Sequence, residues 1–403
     1  MNKLICMLTA ATLAFGLGAA TTFEISADRS DCTYAVGETV RFTVLATDDA
    51  GAPLRSGTVK WSLDNFGSDV IHASTSVDLA DGNPFVVTGS LGYAGFLRLK
   101  VKTADGASSR GWSVAVDPTH IVPATPCPVD FNAYWSVAKA KLDREVPRDE
   151  QLTLVPSKST GDYNYYKVSF ATFNGLRVYG YYTEPKDMSK KYPVRVMVPG
   201  AGPYHNSSGL GSGNRVTLMV NVLPFEPSDD NATFETDYNA WNAKMKNDFG
   251  VSGSYGAAGI AESCEDYVFY PILLGINRAV DWLLERPLAD TSKVCYYGGS
   301  QGGAFGFLLM GLNGKFTRGA MYIPAMCDHL SADLNRNAGW PQLIANQAQA
   351  KRDAAKANAP YFDAVNFARN ITAPVRVAVG LADTTCPPAG GWCAYNALAS
   401  TDK

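Results

Sequence analysis

Two hydrophobic rhythms divide the chain. Up to residue 117, apolar and polar positions alternate in short runs, with candidate strands at 22–27, 39–46, 58–63, 85–89, 96–102 and 110–116. The spacing is about ten residues, and turn signals such as Ala80-Asp81-Gly82-Asn83-Pro84 and Ala104-Asp105-Gly106 fall between the runs. This predicts a small all-β, immunoglobulin-like sandwich over residues 21–117, with Trp61 in its core. A spacer or a wall for the neighbouring domain is its first expected role, and carbohydrate binding the second. Pro118, Pro123, Pro126 and Pro128 then predict a stiff linker over 118–128.

Beyond the linker the rhythm changes. Phe131, Trp135, Ala138 and Leu142 fall on one face of a predicted helix. Strands at 165–172 and 176–183 are joined by a turn at Asn174-Gly175. Near-continuous apolar strands follow at 194–198, 216–222, 294–297, 320–323 and 375–379. Between them lie a helix within 263–286, striped by Phe269, Leu273, Ile276, Val280 and Leu283, and a helical segment at 340–358. Buried strands alternating with helices predict an α/β domain with a mostly parallel central sheet over 129–403. Residues 223–262 break the rhythm and carry many aromatic rings, which predicts a cover over a site.

The chemistry concentrates where the strand 294–297 meets the apolar helix that follows. Gly298-Gly299-Ser300-Gln301-Gly302-Gly303 contains G-x-S-x-G, the nucleophile-elbow pattern of α/β-hydrolases. A serine on a strained turn needs small neighbours, and the helix that follows aims its positive end at a developing oxyanion. Ser300 is therefore the expected nucleophile. The backbone N–H groups of Gln301 and of Ala201, in Pro199-Gly200-Ala201-Gly202-Pro203, are the expected oxyanion donors. Asp383 follows the last apolar strand and is the expected acid of a catalytic triad. Tyr204, His205 and Trp241 are expected to touch substrate.

A triad of this fold runs serine, acid, histidine. All 4 histidines precede Asp383, namely His72, His120, His205 and His329. The expectation is a chain cut short before its general base, with His329 as the rival base.

Four stretches resemble the acetyl xylan esterase and cephalosporin C deacetylase family of α/β-hydrolases. They are Pro128-Val129-Asp130-Phe131-Asn132-Ala133-Tyr134-Trp135, Ile276-Asn277-Arg278-Ala279-Val280-Asp281-Trp282, the serine motif, and Gly380-Leu381-Ala382-Asp383-Thr384-Thr385-Cys386-Pro387-Pro388 with Ala394-Tyr395-Asn396. The resemblance runs from about Cys127 to the end. It implies Ser300 as nucleophile and Asp383 as triad acid, with Gln301 and the residue after Gly200 forming the oxyanion hole. The family's Arg-Gly-Gln motif is absent, which bears on substrate range. The family's histidine would fall past Lys403.

Composition narrows the setting. A net charge of −3 offers no pull toward nucleic acid or anionic membrane. Lys3, the apolar stretch 4–18 and Gly18-Ala19-Ala20 read as a signal peptide over 1–20, too short to span a bilayer, so a periplasmic or extracellular location is expected. Of the 8 cysteines, Cys6 lies in the leader, which leaves an odd number. Cys295 is expected to be a buried free thiol, and the short spacing of Cys386 and Cys393 allows a disulfide between them. No cofactor or metal is expected. The reading is a secreted serine esterase releasing acetyl groups from xylan or xylo-oligosaccharides. Its alternatives are an esterase or peptidase of the same fold acting on bulkier acyl groups, and a non-catalytic carbohydrate-binding pseudoenzyme. A homo-oligomer is left open.

Overall fold

The computed structural model describes residues 21–203 and 209–403. Strands β1 (Thr22–Ala27), β2 (Thr33–Tyr34), β3 (Val40–Thr47), β4 (Thr58–Asn65), β5 (Val70–Asp78), β6 (Phe85–Gly89), β7 (Gly95–Thr103) and β8 (Ser109–Val116) come first. They form one sheet of order β1-β3-β6 and a second of order β2-β8-β7-β4-β5. Period two sets the faces: Val40, Phe42 and Val44 point inward from β3 while Arg41 and Thr43 face water. Trp61 is only half-buried, packed against this core and stacked on His72 at 4.4 Å. Two strands have no counterpart in the apolar pattern. β2 is two residues long, and β5 is an edge strand whose mostly exposed positions needed no apolar alternation.

The α/β part begins with α1 (Phe131–Glu145), then β9 (Gln151–Leu154), β10 (Tyr163–Ala171), β11 (Arg177–Pro185), β12 (Tyr192–Met197) and β13 (Val216–Val220). It continues through α2 (Asn231–Phe249), α3 (Phe269–Leu284), β14 (Ala289–Gly299), α4 (Gln301–Leu312) and β15 (Arg318–Tyr322), and ends with α5 (Arg352–Asn358), α6 (Ala364–Ala368), β16 (Val375–Ala378) and α7 (Pro388–Ala397). One eight-stranded sheet has the order β16-β15-β14-β12-β13-β11-β10-β9. β13, β12, β14, β15 and β16 run parallel; β11, β10 and β9 pair antiparallel at one side. This is the α/β-hydrolase class read from the pattern.

α3 lies buried on almost every side, not only along its predicted stripe. Arg278 is held there by neighbours that accept its protons. Its guanidinium donates to Leu142 O (2.8 Å), which also accepts from Val146 N, to Ala171 O (3.0 Å) and to Asp143 (3.2 Å).

Three local expectations change. Residues 223–262 are not patternless, because α2 occupies their middle. The Asp230 side chain accepts from Ala232 N and Thr233 N, and Gly250 ends the helix at φ 65°. Only Phe234 of α2 is fully buried, which is why no stripe announced it. The helix expected in 340–358 shrinks to α5. The Asn346 amide donates to Pro341 O and the Gln347 amide to Ala257 O and Leu343 O, a side-chain alternative to helical bonding.

Residues 118–128, expected as a stiff linker, are bound along the α/β part. Asp328 accepts from Ala124 N (2.7 Å), Thr125 N (2.9 Å) and the Thr125 hydroxyl (3.2 Å), and Arg336 pairs with its other oxygen at 2.9 Å. Further along the same seam, Asn337 donates to Phe66 O and Asn335 to Asp69 on the sandwich. The sandwich is thereby held against the loops at the C-terminal side of the parallel strands.

Candidate active site

β14 is central in the parallel sheet, paired with β12 on one side and β15 on the other. Its end turns abruptly at Ser300, whose φ 54° and ψ −122° are strained for a residue with a β-carbon. The surroundings hold it there. Ser300 N donates to Tyr322 O (3.1 Å), while Ser300 O accepts from Ala304 N (3.0 Å) and Ala325 N (3.1 Å).

Each flanking glycine has a geometric reason. A β-carbon on Gly298 would lie 2.6 Å from Gly302 O, and one on Gly299 would lie 1.9 Å from the Tyr322 ring. On Gly302 it would lie 2.1 Å from Val198 O, and on Gly303 2.9 Å from Tyr322 O. At Gly298, Gly302 and Gly303 the obstacle is backbone, a close approach that favours glycine, while at Gly299 it is a side-chain ring.

The loop after β12 reaches the same point. A β-carbon on Gly200 would be 3.9 Å from both Gly299 O and Ser300 Cβ. Gln301 opens α4, so its N–H has no partner within the helix. The Gln301 side chain is fully buried and ties the two loops: its amide donates to Pro199 O (3.4 Å), and its Oε1 accepts from the Tyr255 hydroxyl (2.7 Å). Burial lifts the Tyr255 hydroxyl far above the usual tyrosine range, so it stays a neutral donor. No local pattern distinguishes Tyr255 from the other rings of its segment; its role exists only because the fold carries it to Gln301.

Trp241 is half-buried and packs on Tyr255 with ring centroids 4.7 Å apart. Tyr204 and His205 lie outside the described residues.

Asp383 sits in the turn after β16. Its Oδ1 accepts from Thr385 N (2.8 Å) and Cys386 N (2.9 Å), so the carboxylate shapes the turn. That turn presses Cys386 toward the elbow, with Sγ 3.9 Å from Ser300 Oγ. The order β16-β15-β14 explains how residues so distant in sequence meet. Burial first, then the Asp383 charge, push the Cys386 thiol up to about 11, so at neutral pH it is a thiol and no base.

The disulfide that the spacing allowed does not form. Cys386 and Cys393 are both free, with Cys393 on α7 turned toward Asp328 while Cys386 faces Ser300. Cys295 is free but half-buried, not buried. Among the described residues, no three His, Cys, Asp or Glu side chains gather as a metal site.

No described histidine meets Ser300. His72 stacks on Trp61 in the sandwich, and His120 pairs with Asp117 at the surface. His329 is 3 % exposed, its backbone N–H donates to Asp363, and its Nε2 has no partner. Burial holds the His329 imidazole below its ordinary 6.5, although Asp363 and Asp328 pull the other way. The unfolded chain therefore takes up this proton more readily than the folded one. Its contribution to stability is nil above pH 6.5 and turns unfavourable as pH falls below that value. His329→Gln should lose this acid-side component: its urea midpoint should fall less than that of the parent between pH 7.5 and pH 5, while ester turnover at pH 7.5 stays within about twofold. A collapse of turnover with an unchanged fold would make His329 a base after all.

Comparison with known proteins gives the family and the fold. The acetyl xylan esterase (AXE1) family profile matches residues 119–403. The acetyl esterase Axe7A of Xylanibacter ruminicola is 29% identical over 342 residues, covering 82% of this chain and 74% of that protein. The acetyl xylan esterase from Paenibacillus sp. R4 superposes with a TM-score of 0.59 at 23% identity, over 70% of this chain and 89% of its own. Acetyl xylan esterase 1 from Thermoanaerobacterium sp. JW/SL YS485 gives 0.55 at 22% identity, over 70% and 88%. These two solved structures share the fold, and the profile extends from the segment before α1 to the last residue, taking in the elbow and the Asp383 turn. The chain belongs to the acetyl xylan esterase family of α/β-hydrolases.

Proposed function

We propose that this protein is an exported serine esterase that removes O-acetyl groups from xylan or xylo-oligosaccharides through an acyl-enzyme. The observation that carries the proposal is the strained Ser300 backbone, held at the end of β14 with the Asp383 turn against it. The Gly200-Ala201 loop faces the same serine. Family membership supports an ester hydrolase, and the relatives' names supply the acetyl group and the xylan.

In this reading Ser300 Oγ attacks the ester carbonyl. The N–H groups of Gln301 and Ala201 stabilise the tetrahedral oxygen, and the alcohol of the sugar departs to leave acetyl-Ser300. Water then releases acetate. A base must take the Ser300 proton and return it to the leaving oxygen, and Asp383 would fix that base's tautomer. None of the described histidines occupies that position. The segment 1–20, outside the described residues, is the proposed export signal.

Acetate release from acetylated xylo-oligosaccharides, compared with release of feruloyl and methyl groups, tests the substrate. Acetyl esters should be turned over fastest, and a preference for feruloyl esters would sink the assignment. Asp383→Asn separates role from scaffold. The amide keeps an acceptor for Thr385 N and Cys386 N, so the thermal midpoint should move little. Where the general base is present, turnover should fall about 10⁴-fold, the size of effect seen when such an acid loses its charge in a serine protease. An Asn variant as active as the parent would remove Asp383 from the mechanism.

A further inference from the structure

A separate cavity, of about 440 Å³, lies between the sandwich and the Asp383 turn, and Ala382 and Thr384 form its α/β-side wall. Its other side is the outer face of the second sandwich sheet. Strand register decides what that face shows: Lys60 lies opposite Lys102, Ser62 opposite Lys100, and Asp64 opposite Arg98. Ser109 and Gly111 of β8 continue the same rows. Small residues leave the floor low, and cations stand along its middle.

The charge on this face is unbalanced. Asp64 is buried and serves both Arg98 (2.9 Å) and Lys100 (2.7 Å). Arg98 also lies over the Phe66 ring at 4.7 Å, which fixes its place. Among the described residues, Lys60 and Lys102 on this face have no ion-pair partner, and both line the cavity together with Arg110, which register places opposite Val101. Like charges directly opposite on adjacent strands destabilise a sheet, so the Lys60–Lys102 pair is a cost to the fold. In a chain of net charge −3 this face is a local exception. Asn335 and Asn337 tie the sandwich to the α/β part, so the cavity keeps a fixed relation to the turn that touches Ser300.

We propose that this cavity binds a carboxylate-bearing sugar, a uronic acid substituent of the acetylated glycan, so that the sandwich recognises acidic branches beside the ester being cleaved. The location relative to substrate rests on the esterase reading; the binding itself does not. Lysine ammonium groups recognise a carboxylate as point charges, and the low serine and glycine floor admits a ring lying against the sheet.

The test uses the whole chain and two ligands of equal length: xylotetraose, and xylotriose carrying one uronic acid. Calorimetry should show the acidic ligand binding about five- to tenfold more tightly at low salt, with the advantage shrinking as salt is raised. Lys60→Gln with Lys102→Gln should erase that advantage while leaving the thermal midpoint equal or higher, because the like-charge pair is gone. Equal affinity for the two ligands overturns the proposal, as does an acidic preference that survives in the double variant. Displacement of the acidic sugar by inorganic phosphate at equal concentration would also overturn it, because the site would then be a plain anion site. Hydrolysis of 4-nitrophenyl acetate, measured in parallel in a form that carries the general base, reports on the esterase reading alone. Its absence would sink that reading and leave the binding result standing.

Discussion

In a protein that carries the general base, replacing Ser300 by alanine should reduce acetate release by about 10⁶-fold, to the level that binding and oxyanion donors alone sustain. The expectation follows from the elbow. The hydrogen bonds that place Ser300 are made by its backbone: Tyr322 O accepts from it, and Ala304 N and Ala325 N donate to it. Alanine at φ 54° carries the same backbone strain as serine, so the thermal midpoint should move little. What the hydroxyl itself touches is Cys386 Sγ, at the long distance of 3.9 Å, and its removal costs the fold little. Mass spectrometry after fluorophosphonate treatment supplies a second readout, with an adduct on Ser300 in the parent and none in the variant. Turnover within tenfold of the parent would mean that the ester is cleaved elsewhere.

The largest structural effect should come from Gly302→Ala, set beside Gly299→Ala. In a helix, glycine to alanine normally stabilises by about 1 kcal/mol, so the sign at Gly302 depends on the clash. The added carbon would meet Val198 O at 2.1 Å, Val198 C at 3.0 Å and Pro199 O at 3.2 Å. All three atoms are backbone, in the segment that leads to Gly200 and Ala201, and none can step aside without moving the proposed oxyanion loop. Overpacking of this kind should destabilise by about 3 kcal/mol or more. Turnover should fall with it, even at temperatures where the variant stays folded.

At Gly299 the nominal clash is closer, 1.9 Å, but the obstacle is the Tyr322 ring. That side chain is 40% exposed and has room to swing outward. Gly299→Ala should therefore cost only about 1–2 kcal/mol. Urea unfolding of both variants checks the order. If Gly299→Ala proves the more damaging, the elbow is held by the Tyr322 ring and not by the approach of α4 to the β12 loop.

The sequence was legible where one segment carries both its own pattern and its own chemistry. The apolar run into Gly298, the glycines around Ser300 and the helix after it required no partner to be recognised, because the strain of the turn dictates small residues on either side. Alternation in the sandwich and near-continuous apolar strands in the α/β part read directly for the same reason: a strand buried on one face alternates, and one buried on both does not. Reading failed where a residue's state is set by a distant neighbour. α2 has caps at Asp230 and Gly250 but almost no buried stripe, so it looked like loop. Edge strands β5 and β9 bury too little to leave a mark. Cys386 and Cys393 suggested a staple by proximity in the chain, while the fold turns one toward Ser300 and the other toward Asp328.

By itself, then, the amino-acid sequence determined the fold class and pointed to Ser300 and Asp383 as the candidate nucleophile and acid. Those features rest on short-range sterics and periodicity, which operate within a few residues. Only the tertiary structure decided that Tyr255 braces Gln301, that Trp241 packs on Tyr255, that His329 is buried with its backbone on Asp363, and that the cationic face of the sandwich meets the Asp383 turn. Each of these depends on hydrogen bonds, packing or charge between segments far apart in sequence. Strand order and domain docking set those distances, and no local pattern encodes them.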